Sequence, residues 1–93
     1  MKVRHSGRAL RQLDVIYNHI SEESAESAIR VIANIRTSLK GIGHFPHIGR
    51  KTDVRNVFRL FLVERPYIAV YSVEDEMVTI LQVLHARQNK HHI

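Results

Sequence analysis

The spacing of hydrophobic positions along this chain changes once, near residue 54, and divides it into a helical part and a sheet-forming part. Apolar residues at Ala9, Leu10, Leu13, Ile16, Tyr17 and Ile20 recur at intervals of three and four, which predicts a helix over residues 7–21 with Ser6 as its N-cap. A cleaner series, Ala25, Ala28, Ile32, Ile35, Leu39 and Ile42, predicts a second helix over residues 24–40. Glu22, Glu23 and Glu26 near its start and Arg36 and Lys40 near its end complement the helix dipole, and Gly41 and Gly43 supply stop signals. Only a few residues link the two helices, so they should pack as an antiparallel hairpin.

Before the first helix, the alternation in residues 1–5 predicts a brief edge strand. After the second, the glycines and proline of residues 44–50 predict a loop, with Phe45 and Ile48 expected to anchor it on the core. Residues 54–63, 67–73 and 77–85 are rich in Val, Ile, Phe and Tyr and predict three strands. The interruptions at Arg65-Pro66 and Glu74-Asp75-Glu76 are short enough for antiparallel hairpins, so a meander follows. Strict alternation in the last strand would send Val78, Ile80, Gln82 and Leu84 to one face and Thr79, Leu81, Val83, His85 and Arg87 to the other. The expected fold is α+β: a short N-terminal strand and a helical hairpin packed on a C-terminal antiparallel meander. The last strand is read as central, with one face under the helices and the other a concave surface left for a partner. Residues 88–93 read as a loose tail.

With 93 residues, 44% of them hydrophobic and 25% charged, the composition predicts a single domain spanning 1–93. There is no cysteine, which excludes disulfides, thiolate metal sites and a cysteine nucleophile. No membrane-length apolar run or signal-like start is present, so no membrane association and a cytoplasmic location are expected. Fourteen Lys and Arg against nine Asp and Glu give a net charge of +5, which makes nucleic acid or an acidic protein a plausible partner. Arg50, Lys51, Arg55, Arg59 and Arg65 form a basic stretch diluted only by Asp53 and Glu64. The bland reading is a solvated surface.

The candidate chemistry is sparse. The seven histidines include the pairs His44/His47 and His91/His92, but neither has a partner at zinc-like spacing on a regular element, so no metal site is expected. No glycine-rich turn opens a helix after a strand, which removes the phosphate-cradling motifs, and no serine sits in a nucleophile elbow. What remains is His85 with Arg87 two residues on, together with Arg59 and Arg65. Such a cluster suits cleavage of RNA by its own 2′-hydroxyl: His85 would move one proton and arginines would stabilise the phosphorane charge, though a second proton-transfer group is not evident. The alternative is that His85 ends the strand by hydrogen bonding while Arg87 is a solvated or partner-facing charge. Tyr67 and Tyr71 read as packing aromatics rather than base-stacking platforms, because basic residues are not interleaved with them.

The helical hairpin, the loop with Pro46 and Gly49-Arg50, the strand opening Val54-Arg55, the run Arg65-Pro66-Tyr67-Ile68-Ala69-Val70-Tyr71 and the ending Ile80-Leu81-Gln82-Val83-Leu84-His85-Ala86-Arg87 together resemble the RelE/ParE superfamily of type II toxins. The resemblance covers nearly the whole chain. It implies two helices on an antiparallel sheet and a cognate antitoxin whose extended, partly acidic C-terminal segment wraps the toxin in a hetero-oligomer. One branch cleaves ribosome-bound mRNA with clustered basic residues and a late Tyr or His; the other inhibits DNA gyrase. The ending and the absence of lysine between Lys51 and Lys90 resemble the ParE side. The resemblance thus implies a cofactor-free gyrase inhibitor acting in growth arrest and plasmid stabilisation, with Arg50, Arg55, Arg59, Arg65 and Arg87 as target- or antitoxin-binding residues. The alternative it leaves is a RelE-like ribosome-dependent mRNA endonuclease using Arg59, His85 and Arg87.

Overall fold

The computed structural model describes residues 1–88. Five strands, β1 (Lys2–His5), β2 (Arg50–Lys51), β3 (Val57–Phe61), β4 (Tyr67–Glu74) and β5 (Met77–His85), form one sheet in the order β1-β5-β4-β3-β2. Helices α1 (Gly7–Ser21) and α2 (Ala25–Ile42) lie between β1 and β2 in sequence, and a 3-10 turn, Ala86–Gln88, follows β5. The expected α+β architecture is present, but the sheet is mixed: β1 pairs with β5 in parallel while β2 to β5 form the antiparallel meander. β5 is therefore an interior strand, although β4 holds the middle position.

Both helices start where serine can cap them. The Ser6 hydroxyl accepts from the Ala9 N–H at 3.0 Å, and the Ser24 hydroxyl accepts from Ser27 N–H at 3.1 Å. Each such cap contributes about 1 kcal/mol. From α1, Ala9 and Leu13 are buried with Ile16 and Ile20 packed at the margin, while Leu10 and Tyr17 remain exposed, so the inward stripe is narrower than its sequence period. From α2, Val31, Ile35, Leu39 and Ile42 enter the core and meet Phe58, Ala69, Tyr71, Val78, Ile80 and Val83 from the sheet. A second, smaller cluster of Val57, Val70 and Leu84, with Leu81 against it, belongs to the sheet face away from the helices.

α2 runs through Gly41 and stops, as its residue type predicts, at the C-cap Gly43, which is right-handed at φ −61°. Its glycine identity has a steric cause, since a Cβ would stand 2.5 Å from the Met1 carbonyl oxygen and 2.8 Å from Val3. The loop anchors also differ. Phe45 and Ile48 point to solvent, whereas the His47 ring meets Phe58 edge-on at 5.4 Å and Phe58 stacks on Tyr71 at 5.4 Å. Gly49 donates its N–H to the Tyr71 hydroxyl at 2.9 Å, and an added Cβ there would lie 2.7 Å from that oxygen. Arg50, the end of the predicted loop, forms a short strand with Lys51, and residues 54–56, predicted as strand, are turn, with Asn56 at φ 63°. Asp75 and Glu76 both have positive φ, the conformation of a two-residue hairpin that matches sheet twist.

The largest departure lies in β5. Tyr71 pairs with Ile80 and Val70 with Gln82, which leaves Leu81 as a bulge. The bulge inverts the alternation, so Val83 joins Ile80 on the helix side and Leu84 joins Val70 on the other. Ser6 holds it in place: its N–H donates to the Ile80 carbonyl and its hydroxyl to the Leu81 carbonyl, both at 2.9 Å. No helix among the described residues is long and apolar enough to cross a membrane. The predicted tail at 88–93 and the pair His91/His92 lie, beyond Gln88, outside the described residues.

His5 is half-buried on β1, and its Nε2 is buried without a hydrogen-bond partner. Burial first, and then Arg36, hold its pKa below the ordinary 6.5. A lowered folded pKa means that the unfolded chain binds the proton more readily, so stability is full above pH 6.5 and declines as pH falls through and below that value. Urea midpoints measured from pH 7 down to 5 should fall for the wild type and fall less for His5→Gln; parallel slopes would remove His5 from this role.

Candidate functional site

The basic residues are distributed by strand register. Arg50 on β2 stands directly opposite Arg59 on β3, and Arg59 opposite Val70 on β4. Phe58 and Leu60 pack into the helix-side core, so Arg59 between them, and Arg50 with it, occupy the face away from the helices. Like charges directly opposite on one face disfavour the pairing. Phe61, two residues along the same face from Arg59, has the Arg65 guanidinium over its ring at 5.6 Å. Arg50, Arg59, Phe61 and Arg65 thus form one cationic and aromatic patch. Arg4 on β1 shares that face and donates through Nε to the Thr79 hydroxyl at 2.9 Å, while Arg55 is exposed in the turn before β3.

His85 and Arg87 do not join this patch. β5 ends at His85, and Arg87 belongs to the following turn, so the two are not alternating residues of one strand face. The Arg87 N–H donates to His85 Nδ1 at 3.0 Å, and the His85 N–H donates to Gln88 Oε1 at 2.9 Å. Local hydrogen bonding at the strand end, the plainer of the two sequence readings, is what the geometry contains. The His85 ring meets Tyr67, its cross-strand partner, edge-on at 5.7 Å, on the side where Tyr67 packs against the helix-side core. Arg59 and His85 therefore belong to opposite faces of the sheet.

Tyr71 is wholly buried, and burial raises its pKa, an effect that the hydrogen bond from Gly49 opposes. Tyr67 is half-buried, and its pKa is raised by burial and then by the Glu64 carboxylate. Both remain neutral packing phenols at neutral pH. Among the described residues there is no cluster of three or more His, Asp or Glu placed to hold a metal.

Sequence reasoning missed a groove of about 270 Å³ walled by Ile42, Phe45, Ile48, Leu60, Phe61 and Val63. Phe45 and Ile48, which hydrophobicity alone would place on the core, form part of the groove's wall instead. The available signal was the adjacency of Phe61-Leu62-Val63, which strand alternation cannot bury entirely. The molecule presents a cationic, partly apolar surface at one sheet edge on a small α+β fold.

Comparison with known proteins places the chain in a family. Residues 3–90 match the family model described as ParE toxin of type II toxin-antitoxin system, parDE. A putative toxin, Y4kP, of Sinorhizobium fredii is 36% identical over 87 residues, covering 94% of this chain and 90% of that protein. Toxin RelE2 of Caulobacter vibrioides is 30% identical over 79 residues, covering 85% of this chain and 88% of that protein. A solved chain of the chromosomal ParDE system from P. aeruginosa superposes with a TM-score of 0.81 at 25% identity, covering 91% of this chain and 95% of that one. The chain belongs to the ParE toxin family of type II toxin-antitoxin systems, a family that implies a cognate antitoxin.

The Arg50–Arg59 pairing sets stability against binding. Arg50→Gln should raise unfolding stability by about 0.2–1 kcal/mol at low salt, with the gain shrinking as salt screens the repulsion. Urea denaturation at low and high ionic strength checks this; an equal change at both would show that charge repulsion is not its cause.

Proposed function

We propose that this toxin arrests growth by binding DNA gyrase in the cytoplasm as a protein inhibitor, without a cofactor, the chain 1–93 serving as one domain. The observation that carries the reading is the separation of Arg59 from His85 on opposite sheet faces. Acid–base cleavage of a phosphodiester needs its proton-transfer group and its charge-stabilising group within about 3 Å of the same reacting atoms. Binding needs only a continuous surface, and the patch of Arg50, Arg59, Phe61 and Arg65 is one. Arg55 and Arg87 would add peripheral positive charge that speeds encounter with acidic partners. The antitoxin, through an acidic segment, would occupy part of the same surface and so block the target.

The second reading, a ribosome-dependent mRNA endonuclease using Arg59, His85 and Arg87, has the similarity to a protein named RelE2 in its favour. A supercoiling assay separates the two. Purified toxin should inhibit gyrase at the doses that stop growth, and addition of the antitoxin should restore supercoiling. Undisturbed gyrase together with cut transcripts in arrested cells would transfer the function to the endonuclease reading.

A further inference from the structure

β2 is the least self-supporting element of the sheet. It has two residues, and one of them, Arg50, stands opposite a like charge on Arg59, so strand pairing alone does not account for its place. Its far end is held by the chain that follows: Thr52 donates both its N–H and its hydroxyl to the Val57 carbonyl, each at 3.0 Å. Its near end is held by the 2.9 Å bond from Gly49 N–H to the hydroxyl of Tyr71, 22 residues away. The loop before it does little to hold itself. Among the described residues its backbone bonds are local, from His44 to the Gly41 carbonyl, from Phe45 to Ile42 and from Ile48 to Phe45. Phe45 and Ile48 are 68% and 60% exposed, so the loop's other attachment is the His47 ring against Phe58.

The hydroxyl that receives Gly49 is itself held rigidly. Tyr71 lies on the middle strand β4, paired with Phe58 on one side and Ile80 on the other. Its ring stacks on Phe58 with 16° between the planes, and the residue is wholly buried. The phenol is therefore a fixed peg whose base is in the core and whose tip meets the loop; a group carried on a packed strand places what it touches more closely than a loop places itself. The fit at the tip is tight. A Cβ at position 49 would lie 2.7 Å from the hydroxyl and 3.0 Å from the Arg59 carbonyl oxygen, so only glycine brings its N–H to the peg while the next residue enters register with Arg59.

We propose that Tyr71 is a positioning residue for the toxin's binding surface: its hydroxyl fixes Gly49, and through Gly49 it sets Arg50 beside Arg59 and holds the loop that presents Phe45 and Ile48. The proposal rests on the reading that this toxin acts through that surface. Without the hydroxyl, repulsion between the two arginines would drive the near end of β2 off the sheet, and a partner would have to order it again on binding. Tyr71→Phe keeps the ring and removes only the peg's tip. In the full chain it should speed Gly49 amide exchange about tenfold and raise about tenfold the toxin level needed to arrest growth without antitoxin. Ile35→Val, a core truncation that lowers the urea midpoint at least as far, should leave both within about twofold of the wild type. Gly49→Ala should act like Tyr71→Phe, and the two together should do little more than either alone, because both break one contact. Gly49→Ala also serves as the probe if Tyr71→Phe misfolds. Wild-type exchange at Gly49 in Tyr71→Phe, arrest at the wild-type level, an equal loss in Ile35→Val or additive effects in the double variant would each overturn the proposal. Undisturbed gyrase in cells arrested by the wild type would instead end the gyrase reading and leave the role of Tyr71 standing.

Discussion

Ser6 and the bulge at Leu81 form the contact on which the arrangement of this molecule depends. One hydroxyl caps α1 by accepting from Ala9 and holds the bulge by donating to Leu81, so the start of the helix and the kink in β5 are fixed together. Removing the hydroxyl would forfeit a helix cap and leave a carbonyl without its partner, each worth about 1 kcal/mol. More than stability follows from it. The bulge decides that Val83 supports the helices, that Leu84 backs the opposite face, and that His85 stands beside Tyr67 away from the arginines. Without it, strict alternation from Ile80 would send both Val83 and His85 to the face away from the helices.

The sheet is finished with care at one side and left open at the other. Side chains from α1 and the final turn engage the outward groups of β5, whereas a two-residue β2 leaves the second half of β3 uncovered. The same region carries two arginines in direct register and an aromatic ring beneath a third. Each of these features costs stability when the protein is alone: exposed apolar area, repelling charges and an unprotected edge. Their concentration at one place sets this edge apart from the rest of the sheet.

Much of the fold was legible in the residues. The three-and-four spacing of Ile35, Leu39 and Ile42, the capping serines and the turn at Glu74-Asp75-Glu76 are local signals, and local geometry decided those elements. What escaped depended on contacts distant in sequence. The bulge at Leu81 needs Ser6, seventy-five residues away, and has no signature in the run Ile80-Leu81-Gln82-Val83 itself. Gly43 is the helix stop that its residue type suggests, but the reason only glycine fits there, the approach of Met1 and Val3, is not local. Arg50–Lys51 is too short to register as a strand by period. Hydrophobicity points to Phe45 and Ile48 as the loop's anchors, whereas the ring of His47 and the backbone of Gly49 make the attachment. For the site, the basic stretch is visible in the sequence and the placing of His85 on the face opposite Arg59 is not, since the single residue inserted in β5 at Leu81 controls it.

The account holds that toxicity resides in a binding surface rather than in proton transfer by His85. The most direct test is growth arrest by His85→Ala expressed without antitoxin. The account predicts arrest equal to that of the wild type, because His85 lies on the face opposite Arg59 and its Nδ1 accepts from the Arg87 N–H. Recovery of growth with a folded variant that still binds antitoxin would contradict it.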